Sequence, residues 1–453
     1  MRYLTSAFMC LLCSTLPFSV YAENLQDIYS AAVENDPIMR AAQAELNAGL
    51  ENKNIARAAL LPQLRLNASV GRTDTETEAD VGKPVDPVAS ALASSSSDTT
   101  AENLSLTLSQ QIFNLSSWYN FKSGKLASRQ AELEFVNNQQ DLMRRAASAY
   151  FQVLRANNNL ASGIAEEKAV KQQLDQMQQR FDVGLVAITD VNEAQAAYDL
   201  AKVNRIALEG NLKIAYEALT VLTGKQHRQL NRLSASFPIS APEPADMDSW
   251  VETATTNNLD LQSARSSVDI AEYRAKASRA NHYPVLALTG SLGKTSTDGE
   301  RSSYVVSGGG LDNVTRDFAA DTDNKAIALT LTVPLYSGGA VGAQRRQAWA
   351  NFEQARETMT GTERAITQQT RSQYIAVATQ IQKVAAHQQA IVSAQSALDA
   401  IQAGYNVGTR NIVDVLNAQH NLFAAQRDYG NSRYDYILSM LDLKYLAGAL
   451  TPD

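Results

Sequence analysis

The chain has 453 residues, 40 Lys and Arg against 47 Asp and Glu, and a formal net charge of −7. An acidic chain with no run of basic residues offers nucleic acid no electrostatic footprint, so no nucleic-acid partner is expected. Both cysteines, Cys10 and Cys13, fall in the apolar opening stretch, which leaves the rest of the chain without a disulfide or a thiolate site.

That opening stretch, with Arg2, an apolar run from about Leu4 to Leu16 and the ending Val20-Tyr21-Ala22, predicts a secretory signal over residues 1–22. From Leu25 to Asn35 the apolar residues recur at helical spacing, and Asp36-Pro37 breaks them. A second helix is expected from about Ile38 to Leu60. After Pro62 the pattern turns to alternation, with Leu64, Leu66, Ala68 and Val70 on one face, which predicts a strand. Residues 73–103, rich in Thr, Ser, Asp and Glu, read as a solvated loop. Leu104, Leu106 and Leu108 then form one face of a second strand.

Residues from about Ser116 to Arg180 contain no proline and keep a 3-4 spacing of mostly apolar positions, the seam of a helix packed along other helices. FDVGLVAITDV follows at Phe181 to Val191, and a return helix is expected from about Ile188 to Leu222, closing at Gly224. Residues 225–247, with Pro238, Pro242 and Pro244, read as a linker. The order then repeats: a short helix from Asp248, a longer one to Asn281, strands at about Val285 to Lys294 and Ala326 to Tyr336, and a second proline-free helix. YNVGTRNIVDV at Tyr405 to Val415 is a second copy of the Phe181 to Val191 segment and shares five of eleven residues with it. The chain is therefore internally duplicated, with a first repeat at 23–224 and a second at 248–453. In each copy a glycine, Gly184 or Gly408, ends one helix and a polar residue a few positions on (Thr189-Asp190, or Asp414 after Val413) is expected to cap the next, so each copy is the tip of a helical hairpin.

Four strands of about ten residues with one apolar face match membrane-barrel strands, and the fold class is α+β. Four cannot close a barrel, and open edges in lipid leave backbone groups unpaired, so strands from several chains must complete the wall. Two chains would supply eight strands and three would supply twelve; eight enclose only their own side chains, so an open channel needs three or more. The competing reading is a non-conducting, rod-like coiled coil capped by the strands.

The order of elements, taken twice, with VGLVAITDV at one tip and VGTRNIVDVLNAQ at the other, resembles the TolC family of outer-membrane efflux proteins over essentially the whole chain after its signal. The resemblance implies a homotrimer in outer-membrane lipid, a twelve-stranded barrel continued by a helical coiled-coil barrel reaching into the periplasm. It further implies docking to a periplasmic adaptor and to an inner-membrane efflux pump or ABC transporter, for drug efflux, type I protein secretion or both. By the same resemblance Tyr405 and Arg410 link to Asp190 and Thr189 to hold the mouth shut. Asp414 matches the first aspartate of the constriction, while the second position here is Asn417. Gly184, Leu185, Gly408 and Thr409 form the tips that meet the adaptor.

Enzymatic patterns are missing from the sequence. The four histidines, His227, His282, His387 and His420, show no metal spacing, and neither a catalytic motif nor a cofactor fingerprint is present. Glu166-Glu167 and Arg144-Arg145 read as solvated helix faces. A dedicated type I secretion outlet is the alternative within the same class.

Overall fold

A computed structural model describes residues 22–77, 95–234, 237–307 and 310–451. The expected signal over 1–22 lies outside them apart from Ala22, as do residues 78–94 of the polar stretch. In chain order the elements are α1 (Leu25–Asn35), α2 (Pro37–Ala58), β1 (Gln63–Thr77), β2 (Ser95–Phe113), α3 (Leu115–Asp182), α4 (Ile188–Thr223), α5 (Met247–Asn257), α6 (Leu259–Ala280), β3 (Val285–Ser307), β4 (Gly310–Thr332), α7 (Ala340–Asn406) and α8 (Ile412–Leu446). Two helices, two strands, a long helix and its return thus occur twice. No helix among the described residues is long and apolar enough to cross a membrane. The chain divides into a helical unit, made of residues up to Glu45, Glu134–Gln262 and Gly361–Asp453, and a sheet unit, made of Leu46–Leu133 and Ser263–Thr360. Each unit draws on both halves of the sequence.

In the helical unit, α1 opens with a capping box: Asn24 Oδ1 accepts from the Asp27 amide at 2.9 Å and Asp27 Oδ2 accepts from the Asn24 amide at 2.9 Å. It stops at Asp36, and Pro37 suits the first position of α2, where its missing N–H costs nothing. The equivalent junction in the second half is Asn258, between α5 and α6. Both junction side chains are buried, and each has a partner. Asp36 accepts from Arg145 at 2.7 Å, and Arg145 also donates to Asp141 at 2.8 Å. Asn258 donates to the Leu446 carbonyl at 2.9 Å and accepts from the Leu261 amide at 3.0 Å. A buried charge needs an opposite charge and a buried amide needs only backbone, so the two copies solve one problem in two ways. Arg145 is accordingly committed to Asp36 and Asp141, which corrects its reading as a solvated face, while Arg144 pairs with Asp141 on its own helix and stays 43% exposed.

The core of this unit joins Tyr150, Phe151 and Leu154 of α3, Leu219 of α4 and Trp250 of α5 to Val377 and Val384 of α7 and to Ile437 and Leu443 of α8. Burying such side chains contributes about 1.5–3 kcal/mol each. The aromatic residues also fasten the proline-rich stretch 225–247: Tyr150 Oη donates to the Asn231 carbonyl at 2.6 Å, Tyr436 Oη to the Ser240 carbonyl at 2.8 Å, and Trp250 Nε1 to the Pro244 carbonyl at 2.7 Å. Burial pushes the Tyr150 phenol up to about 12, which keeps it a proton donor across the neutral range.

The sheet unit carries one antiparallel sheet in the order β1-β2-β3-β4. Its register lines up Leu66 with Leu106 and Leu292, and Leu64 with Leu108, Gly290 and Ile327. These side chains share a face because alternate residues point the same way. Leu64, Leu66, Leu108, Leu292 and Ile327 are open to solvent in one chain, with Leu64 67% and Ile327 80% exposed, and Leu106 is half-buried. The strands are 15, 19, 23 and 23 residues long where about ten were expected. Residues 73–77 and 95–103, read from sequence as loop, are ladder. Backbone pairing carries them where neither face is apolar, with polar cross-strand links such as Thr295 Oγ1 donating to Asn103 Oδ1 at 3.4 Å. β4 ends at Thr332 instead of Tyr336, since Pro334 has no N–H for a ladder. Among the described residues β1 and β4 each pair on one side only.

One glycine tests how tightly the helical unit closes. Gly448 ends α8 at φ +65°, and a Cβ there would overlap the Asn257 carbonyl oxygen; Gly184 has φ +74° and open space around it. Gly184→Ala should cost about 1–2 kcal/mol from the left-handed backbone alone. Gly448→Ala should cost at least about 1 kcal/mol more, because Asn257 must also move. Thermal melts of the helical circular dichroism signal compare the two, and equal losses would mean that the Asn257 contact is readily relieved.

Candidate functional site

The two hairpin tips, both in the helical unit, are built by the same turn. At the end of α3 the Gly184 amide donates to the Phe181 carbonyl at 2.8 Å and the Leu185 amide to the Arg180 carbonyl at 2.8 Å. At the end of α7 the Gly408 amide donates to Tyr405 at 3.0 Å and the Thr409 amide to Gly404 at 2.9 Å. This crossed pair of bonds closes a helix around a left-handed residue, and Gly184 and Gly408 have φ +74° and +78°. The two backbone bonds of one tip fall at the equivalent positions of the other, and Thr409 Oγ1 adds a bond to the Gly404 carbonyl at 3.0 Å that Leu185 cannot make.

The next helices start differently. Asn411 caps α8, its Oδ1 accepting from the Asp414 amide at 2.8 Å. Ala187 occupies the cap position of α4 and offers no side-chain bond. The expected capping by Thr189-Asp190 or by the residues around Asp414 is therefore displaced: a cap residue sits in extended backbone just before the first helical residue, and these lie inside the first turn. There the carboxylates of Asp190 and Asp414 complement the positive end of the helix dipole. The tips themselves are open. A side chain on Gly184 or Gly408 would touch nothing, and Val183, Leu185 and Val407 are exposed.

Just behind the tips a small core joins the hairpins: Met177 of α3, Val191 of α4, and Ile412 and Val415 of α8, with Tyr405 of α7 packed against them. Tyr405 Oη donates to Met177 Sδ at 3.0 Å, and the Arg180 guanidinium stands 5.6 Å from the Tyr405 ring centre. Arg410 lies 3.7 Å from Asp414, four residues along, and both are more than a third exposed. Among the described residues of this single chain no hydrogen bond or ion pair joins Tyr405 or Arg410 to Thr189 or Asp190. Asp414 is partly exposed and Asn417, about one turn on, is exposed.

One constellation escaped the sequence reading. Glu166, taken with Glu167 for a solvated face, is buried, and its Oε1 lies 2.7 Å from Nδ1 of His420. Glu167 meets Arg205 at 2.6 Å. The reason for the correction is packing: α3 has α4 against one side and α8 against another, so both glutamates face neighbours. The signal available in sequence was the duplication itself, because the second-copy position that matches Glu166 is Ala390 and the first-copy position that matches His420 is Ala196. Beside the pair lies a cavity of about 440 Å³ lined by residues of α3, α4 and α8, Asn417 and Arg427 among them. Among the described residues no group of three or more His, Cys, Asp or Glu is placed to hold a metal.

The family described as Outer membrane efflux protein matches the chain twice, at residues 28–225 and 250–449. The chain is 34% identical to Outer membrane protein TolC of Vibrio cholerae, over all of this chain (100%) and 96% of that protein. It is 28% identical to Alkaline protease secretion protein AprF of Pseudomonas aeruginosa, over 99% of this chain and 89% of that one. Its fold matches the crystal structure of the outer membrane protein VceC from Vibrio cholerae with a TM-score of 0.71 at 19% identity, over 94% of this chain and 96% of that chain. The chain belongs to the outer membrane efflux protein family, and the outer membrane is its location.

Proposed function

We propose that three copies of this chain close a twelve-stranded barrel in the outer membrane and continue it as a coiled-coil tunnel through the periplasm, the gated exit duct for an inner-membrane efflux pump or ABC transporter joined by a periplasmic adaptor. The observation that carries the proposal is the sheet: four strands, an apolar face left in the open, and two edges with no partner among the described residues. In lipid each unpaired backbone group costs several kcal/mol, so the edges must meet those of other copies. Three copies give the smallest wall of this kind with room for a channel. The proposed repeats, 23–224 and 248–453 about the stretch 225–247, are supported by the doubled family match.

In this reading Thr189, Asp190, Tyr405 and Arg410 form the gate, Asp414 and Asn417 the constriction, and Gly184, Leu185, Gly408 and Thr409 the adaptor-docking tips. Among the described residues of one chain no hydrogen bond or ion pair joins Tyr405 or Arg410 to Thr189 or Asp190, and the reading assigns these links to the assembled trimer. A secretion protein among the relatives favours a second reading, an outlet dedicated to type I protein export.

A hydrogen bond to a charged group contributes about 1.5–3 kcal/mol, and threefold symmetry repeats each link three times. Tyr405→Phe combined with Arg410→Ser should therefore raise single-channel conductance in planar bilayers well above wild type; unchanged conductance would remove these residues from the gate, and no conductance in either protein would remove the channel.

Three Asp414 carboxylates around one axis concentrate negative potential and attract cations. Asp414→Asn should lower cation selectivity and relieve block by multivalent cations without opening the gate. Because Asn417 is already neutral, one substitution suffices, and persistence of the block would refute the assignment.

Docking is tested by Gly408→Glu, which should abolish export while trimers remain in the membrane fraction; normal drug export by this variant would mean that the adaptor grips elsewhere.

A further inference from the structure

We propose that Glu166 and His420 form a protonation-sensitive latch that ties α8 to α3 and holds the two hairpins together more firmly as the pH falls. The inference rests on the reading above in which links between the two hairpins hold the mouth shut. Its ground is the contact itself: a carboxylate on the first hairpin and an imidazole on the second, 2.7 Å apart, with the imidazole about two turns into α8. The Glu166 side chain is 11% exposed and that of His420 63%, so the carboxylate is held in place by packing while the ring is reached by protons from solvent.

An ionised carboxylate only accepts, so His420 Nδ1 is the donor in this contact. Neutral imidazole gives one hydrogen bond. Protonated imidazole gives the same bond with opposite charges across it, which is the stronger form. Acidification therefore favours the stronger form of this contact. The surroundings leave the assignment to this pair. The charged and titratable lining of the adjacent cavity consists of Glu166 from α3 and His420 and Arg427 from α8, and the α4 residues that line it, Leu200 and Asn204 among them, are uncharged. Arg427 is engaged with Asp428 at 3.2 Å, and Glu167 with Arg205. Because the two halves carry alanine at the matching positions, the latch exists between the hairpins once per chain and has no counterpart at Ala390 and Ala196.

The test uses the full chain in detergent or bilayers. With Cys10 and Cys13, its only cysteines, each replaced by serine, spin labels on Ala187→Cys and Val407→Cys report the tip separation without interference. The wild-type distance distribution should narrow between pH 8.0 and 5.5, and His420→Asn and Glu166→Gln should each abolish that narrowing, with the double variant no different from either single one. Planar-bilayer recordings should show wild-type open occupancy lower at pH 5.5 than at pH 8.0 by about threefold, a difference lost in both variants. Narrowing that persists in His420→Asn overturns the latch, as does narrowing lost in His420→Asn but kept in Glu166→Gln, which would give His420 another partner. If the tip distances respond as expected while occupancy does not change in any protein, the latch stands and the gate reading fails.

Discussion

A four-stranded sheet with open edges cannot complete its own hydrogen bonding, and most of what this chain does follows from that deficit. In water the edge groups of β1 and β4 would bond to solvent; in hydrocarbon they have nothing to bond to but another copy. The apolar rows through Leu64, Leu66, Leu106, Leu108 and Leu292 make hydrocarbon the medium in which that face is stable. The proposed assembly thus rests on the sheet before any contact between helices is considered. Where β1 and β2 extend past these rows into Ser, Thr, Asp and Glu, the ladder continues with mostly polar side chains on both faces.

Duplication supplies the rest of the frame, and divergence within it supplies the chemistry. Both tips use the same crossed hydrogen bonds around a left-handed glycine. Both helix junctions bury a short polar side chain, yet Asp36 faces Arg145 where Asn258 faces a carbonyl. Asn411 caps its helix and Ala187 does not. An unmodified repeat would give two hairpins with the same surface. The hairpins touch through residues that distinguish them, Met177 against Tyr405 and Glu166 against His420, as well as through residues they share, Val191 and Val415.

The sequence pattern carried the long helices and the tips because their signals are local: an apolar seam of helical period, then a glycine that terminates it. Tyr405 and Asp414 could be placed on their elements for the same reason. The outer parts of the strands were illegible because period-2 reading needs one apolar face, and Thr73 to Thr77 have none. The cap at Ala187 carries no side-chain signal at all. Glu166 was misread because burial by a neighbouring helix is a property of the packed structure: nothing on α3 itself marks that glutamate as facing α8. The comparison of one half with the other was the only route to it from sequence, since a glutamate that replaces the alanine of its duplicate has acquired a partner or a penalty.

The proposed gate and the proposed constriction are not independent. Arg410 and Asp414 are four residues apart and 3.7 Å from one another in the single chain, so the guanidinium offsets part of the carboxylate charge whenever it is not engaged elsewhere. Both side chains are substantially exposed, so this internal pair is weak and is readily exchanged for a better-buried acceptor. In the proposed trimer, an Arg410 that turned to Asp190 or Thr189 would leave Asp414 with its full negative charge near the proposed axis. A closed mouth would then be the more attractive one to cations, and cations settling there would reinforce closure by neutralising three carboxylates that repel one another. Opening would return Arg410 toward Asp414 and weaken the field as the passage widened. With Asn417 in place of a second carboxylate, such an alternation would depend on one acidic residue per chain, and the position of Arg410 would be the dominant control on the charge a departing solute meets.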